Sequence, residues 1–137
     1  MSRLITVLRA GLTDEHATVY LFSVLGSRVS PGSLANTLGA SFQAHRDARD
    51  ALIERLAALG DSAPPGAAPA YDLPDGLGTD PGVRAAALAV EQRAMAGYGQ
   101  QVAATRGADR TRAIGWLGAT AVRQLAYGGS PSELPGL

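Results

Sequence analysis

The sequence has 137 residues, 46% of them apolar, with twelve acidic side chains balancing twelve basic ones and no cysteine. That length suits one domain around one core. The zero net charge gives no electrostatic footprint for nucleic acid, which usually demands a basic face, and argues against attraction to anionic membranes, while the lack of cysteine excludes disulfides, thiolate metal sites and cysteine nucleophiles.

Alanine and leucine dominate and both favour helix. Every basic residue is arginine, a coding-sequence bias more than a functional one. The opening run Met1-Ser2-Arg3-Leu4-Ile5-Thr6-Val7-Leu8 begins like a secretory signal. Arg9, then Asp14 and Glu15, interrupt it before an adequate apolar stretch has formed. No apolar run approaches the ~20 residues of a membrane span, so a cytoplasmic protein is expected.

Four helices are predicted in chain order. The first covers about 4–29 and ends before Ser30-Pro31-Gly32. The second starts near Ser33, a good N-cap, and ends at Gly60, a good glycine for a left-handed stop. The third opens at Asp80-Pro81, an N-cap followed by proline in the first turn, and ends near Gly107. The fourth covers about 109–127 and is closed by Gly128-Gly129. Residues 129–137 form an irregular tail.

Apolar spacing alternates between three and four along each of the first three segments, as inward faces of packed helices require. The stripes are Leu8, Leu12, Glu15, Val19 and Phe22; then Leu38, Phe42, His45, Arg49, Leu52, Leu56 and Leu59; then Leu88, Glu91, Met95, Tyr98 and Val102. The fourth segment offers two neighbouring faces. One holds Ile114, Leu117, Ala121 and Leu125, the other Trp116, Thr120, Arg123 and Tyr127.

Short links make the first and second helices, and the third and fourth, antiparallel hairpins. Between the pairs lies a Pro/Gly/Ala-rich segment, about 61–80. A helix of ~24 residues is ~36 Å long, and a 20-residue polyproline-like segment reaches ~60 Å, so it can cross the whole bundle. Two hairpins joined by one long crossover is the all-α, ferritin-like four-helix arrangement, here filling a single domain, 1–137. A weak internal repeat agrees: Leu12-x-x-Glu15-x-x-x-Val19-x-x-Phe22 matches Leu88-x-x-Glu91-x-x-x-Met95-x-x-Tyr98.

Three inward stripes carry ionisable residues near mid-helix: Glu15, His45 with Arg49 one turn on, and Glu91. A buried charge costs several kcal/mol unless it is paired or bound to metal, and two facing carboxylates need something positive between them. In di-iron carboxylate bundles each helix pair supplies one Glu and one Glu-x-x-His. Glu15, Glu91 and His45 fit three of those ligands. Phe42, however, occupies one glutamate slot, and Gly118 and Ala121 occupy the fourth-helix slots. The expected layer is therefore self-neutralising, with Arg49, helped by Arg46 and Arg123, in place of metal, because arginine stays charged when buried, and with Asp50 as a further supporting residue. No cofactor is favoured. Iron or another transition metal, if bound, would sit on Glu15, His45 and Glu91.

The remaining candidates have simpler readings. His16 faces about a quarter turn from Glu15 and belongs to the surface or a helix interface. Arg46 and Asp50 read as an i,i+4 ion pair. Tyr20, Tyr98 and Tyr127 read as packing residues whose hydroxyls find partners, Met95 as core filler and Trp116 as a core anchor. No nucleophile–histidine–acid set and no glycine-rich phosphate loop occurs.

The runs Asp14-Glu15-His16-Ala17-x-Val19-Tyr20, Ala44-His45-Arg46-x-x-Arg49-Asp50-x-Leu52, Pro69-Ala70-Tyr71-x-Leu73-Pro74, Asp80-Pro81 and Leu134-Pro135-Gly136-Leu137 stand in order across nearly the whole chain. In them the sequence resembles an actinobacterial ferritin-like domain family of unknown function. The resemblance implies a ferritin-like bundle without an assigned activity, whose recurring polar residues correspond to Glu15, His45, Arg49, Asp50 and Glu91. The expectation is a non-catalytic structural or protein-interaction module with a salt-bridged core layer, free to form a homodimer or to dock an unidentified protein. Its rivals are a metal-binding oxidoreductase or storage protein with a degenerate site, and a binder of small apolar ligands in a pocket lined by Phe42, Met95 and Trp116.

Overall fold

The computed structural model describes residues 2–133. Within them lie four α-helices, α1 (Arg3–Ser27), α2 (Ser33–Ala58), α3 (Asp80–Ala104) and α4 (Gly107–Arg123), with α4 tightening into a 3-10 turn, Gln124–Tyr127. No strand occurs among the described residues. Met1 and residues 134–137 lie outside them, so the last run of the family resemblance and the end of the expected tail do too.

Local chemistry sets the ends. Ser2 caps α1 by accepting from the Ile5 backbone N–H at 3.1 Å. Thr79, one residue before the predicted cap, caps α3 through Gly82 N–H at 3.1 Å. Its hydroxyl reaches that orphan donor, and Asp80 falls inside the first turn with Pro81. Similarly, Gly32 precedes α2 and Ser33 is its first helical residue. Gly60, at φ +88°, closes α2 while Asp61 N–H returns to Leu56 O at 2.9 Å. Gly107 begins α4 rather than ending α3.

Helix α1 packs along α2, α3 along α4, and the two pairs meet chiefly through α1 and α3, whereas α2 and α4 hardly touch. The clearest link between those last two is ionic: Asp109 accepts from Arg55 Nε at 3.0 Å and from its terminal nitrogen at 3.1 Å. Residues 59–79 contain no helix and are tied along α1. Arg9 donates to Asp61 at 2.6 Å and to Ala63 O at 2.9 Å. His16 Nε2 lies 2.9 Å from Pro65 O, and the Tyr20 and Tyr71 ring centroids are 5.3 Å apart. Both partners advance together, so this segment runs with α1 from its start toward its end.

Two apolar clusters fill the interior. One joins Phe22, Leu25, Leu38, Leu77, Val83, Val90 and Tyr127. The other joins Leu8, Leu12, Leu52 and Leu56, with Trp116 packed against it. Of the two faces read on α4, the one with Trp116, Thr120, Arg123 and Tyr127 turns inward, and Ile114 and Leu125 are exposed. No helix among the described residues is long and apolar enough to cross a membrane.

Candidate functional site: a buried Glu–His–Glu bridge

Between the two apolar clusters lies one polar layer. His45 and Glu91 are fully buried and Glu15 is 3% exposed. His45 Nδ1 is 2.8 Å from Glu15 Oε2, and Nε2 is 2.5 Å from Glu91 Oε1. The imidazole thus spans the gap between the carboxylates. A neutral imidazole has one N–H and one lone pair, and that lone pair would face an oxygen rich in electrons. Two protonated nitrogens, each donating, satisfy both acids.

The surroundings favour that charged form. Burial opposes it, but the hydrogen bonds and charges of Glu15 and Glu91 prevail, and the His45 pKa is raised to about 9. The rings of Phe22 and Tyr98 lie nearly parallel to the imidazole, with centroids at 5.5 and 6.4 Å, presenting π faces that suit a cation. Phe22 and Tyr98 are equivalent positions of the internal repeat, as are Glu15 and Glu91. Each repeat therefore offers one carboxylate and one ring to the same histidine.

Further donors complete the layer. Tyr98 OH donates to Glu15 Oε1 in a short hydrogen bond. Burial and the Glu15 charge push that phenol well above its usual range, so it stays protonated and keeps its proton to donate to Glu15. Glu91 Oε2 accepts from Ser41 Oγ at 3.2 Å and from Arg123 Nε at 3.0 Å. Ser41 also bonds Tyr127 OH at 2.8 Å, and burial raises that phenol to about 12. Arg123 is braced by Thr120 Oγ1 at 2.8 Å. Although burial would raise the Glu91 carboxyl, His45 and Arg123 hold it below the usual carboxylate range. Two carboxylates, one imidazolium and one guanidinium sum to zero.

The predicted layer is corrected in one member. Arg49 does not reach either glutamate; its Nε donates to Asp50 at 2.9 Å near the surface. The inward line of α2 runs Leu38, Ser41, His45, Ala48, Leu52, Leu56, not through Phe42 and Arg49. Both lines have steps of three and four, but small Ser41 and Ala48 allow closer approach of the neighbouring helices. Arg46 and Asp50 do not pair as expected either. The Arg46 guanidinium lies over the Phe42 ring, 5.4 Å from its centroid, and Arg49 holds Asp50. The core cation comes from Arg123, on the helix whose facing was ambiguous. Thr120 stands on the α4 face that the spacing offered beside Arg123, whereas Ser41, one turn before His45, lies off the predicted stripe of α2.

The donor set does not match a two-metal carboxylate centre. Both His45 nitrogens lie against carboxylate oxygens. Phe42, Gly118 and Ala121 stand where further ligands would be needed, and no group of three or more acidic or histidine side chains among the described residues is placed to hold an ion. Nor do Phe42, Met95 and Trp116 share one cavity: Phe42 packs on the cluster of Phe22 and Leu38, and Trp116 on the cluster of Leu8 and Leu56.

Residues 7–137 match the family model described as a domain of unknown function, DUF4439. The chain belongs to that family. This DUF4439 domain is also similar to the crystal structure of a conserved hypothetical protein, rv2844, from Mycobacterium tuberculosis, with a TM-score of 0.83 and 27% identity over 92% of this chain and 95% of that one. No curated protein matches the domain.

Proposed function

We propose that this DUF4439 domain is a ferritin-like bundle in which a histidine and an arginine replace the metal ions, and that it serves as a non-catalytic structural or protein-interaction module. The observation that carries this reading is the bridge itself: both ring nitrogens of His45 are held by the two glutamates, at 2.8 and 2.5 Å. The ferritin-like assignment is supported by the hairpin pairs and by the progress of residues 61–71 along α1, as a crossover between α2 and α3 would make. The interaction half is supported by an apolar outer face on α4, where Ile114, Val122 and Leu125 are 53%, 68% and 42% exposed.

Elemental analysis of protein purified without chelators tests the reading. Far less than one equivalent of transition metal is expected, with a melting temperature indifferent to added chelator. A stoichiometric metal that disappears in Glu15→Gln or Glu91→Gln would overturn the proposal in favour of a degenerate metal protein.

A further inference from the structure

On the far side of Glu15 from His45, the helices α1 and α3 leave a cleft. Its inner recess, about 20 Å³, is lined by Gly11, Asp14, Glu15, Gly97, Tyr98 and Gln101. Such a volume holds one water-sized body. It adjoins an outer trough of about 130 Å³, to which Val7, Ala10 and Ala104 add apolar walls. Glycines keep the recess open: a Cβ on Gly11 would come within 2.7 Å of Gln101 Nε2.

Two features of this cleft are unused by the layer. Gln101 is only 4% exposed, and its side-chain amide has no hydrogen-bond partner among the described residues and lines the recess. Asp14 stands at the mouth, likewise without a hydrogen-bonded or ion-paired partner. Glu15 is balanced by His45 and Glu91 by Arg123, so Asp14 is the unmatched acid. Loss of solvent and the Glu15 charge raise its carboxyl pKa, and Arg93 offsets this only through space.

We propose that the α1–α3 cleft binds a primary ammonium group carrying a short aliphatic chain. An ammonium is close to water in size and has three N–H donors with no acceptor. The recess offers three acceptor groups, the carboxylates of Asp14 and Glu15 and the carboxamide oxygen of Gln101. The aliphatic part occupies the trough beside Val7, Ala10 and Ala104. The site shares Glu15 with the His45 bridge, whereas Asp14 and Gln101 belong to the cleft alone, so substitution of Asp14 tests the cleft without touching the bridge.

Calorimetric titration of the full chain with n-butylammonium chloride, at constant ionic strength and neutral pH, tests it. One saturable site is expected, with n-butanol failing to compete. Asp14→Asn, which keeps the shape, should weaken binding at least about tenfold, since a tenfold change is only about 1.4 kcal/mol. Gly11→Ala, which drives Gln101 into the recess, should abolish it. If that variant does not fold, Asp14→Asn decides alone. No saturable heat, equal binding of butanol, or undiminished affinity in Asp14→Asn would each overturn the proposal.

Discussion

The Glu15–His45–Glu91 bridge and the Arg55–Asp109–Arg112 cluster employ similar charges at different depths. In the bridge every charged atom is buried and every carboxylate oxygen accepts a hydrogen bond. At the other cluster Asp109 takes a two-pronged contact from Arg55 and a third from Arg112 at 3.2 Å, but the Arg55 side chain is 36% exposed. Arg112 stacks over Trp116 at 4.9 Å while its Nε is buried without a partner. Water can replace a lost partner at the second cluster and cannot at His45 or Glu91, which are fully buried. Depth, more than the number of ion pairs, therefore sets what each contributes.

Breaking the bridge is expected to give the largest effect. Glu91→Leu takes one partner each from His45, Ser41 and Arg123 and leaves the buried layer with an excess positive charge, and a loss of about 3–5 kcal/mol is expected from denaturant unfolding, the usual cost of breaking a buried charge pair. A loss below about 1 kcal/mol would show that the bridge does not carry its charges in the folded state. Arg55→Ala, measured alongside, should cost much less and should become less costly still as salt rises, because the Arg55 side chain itself is 36% exposed to solvent.

The next effect is on pH dependence. The folded pKa of His45 is about 9 against 6.5 for the free side chain. The folded state thus binds the extra proton more tightly, so its contribution is full below about 6.5 and is lost as pH rises through about 9, amounting to a few kcal/mol. Glu91, held low, acts in the opposite sense: its contribution is present above the usual carboxylate range and lost as pH falls below it. Stability should therefore plateau in the mildly acidic range, with a decline on each side. His45→Gln should remove the alkaline decline, and nitrogen NMR of the ring should show an imidazolium at neutral pH.

The smallest effect sharpens the contrast. Arg49→Ala removes the arginine that the stripe placed in the core, but its pair with Asp50, itself 60% exposed, lies near the surface. Unfolding should change by no more than about 0.5 kcal/mol. A loss approaching that of Glu91→Leu would return Arg49 to the layer.

Helix positions and the three residues of the bridge were legible because both follow from the chain's own periodicity. Glu15, His45 and Glu91 interrupt apolar stripes at mid-helix, and a buried charge must be answered by another. What answered it was not legible. A stripe through Phe42 and Arg49 and a line through Ser41 and Ala48 have the same spacing, and only contact with neighbouring helices selects the latter.

The amino-acid order alone therefore determined the four helices, the starts of α2 and α3 to within a residue, and the presence of carboxylates and a histidine at one level of the interior. Tertiary structure decided that His45 stands between the acids, that Arg123 of α4 rather than Arg49 of α2 supplies the second positive charge, and that Gln101 is left facing a cleft. The reason is geometric: helical periodicity fixes which way a side chain leaves its own axis, whereas hydrogen bonds of about 3 Å depend on the rotation and distance of a second axis, which the packing of all four helices sets together.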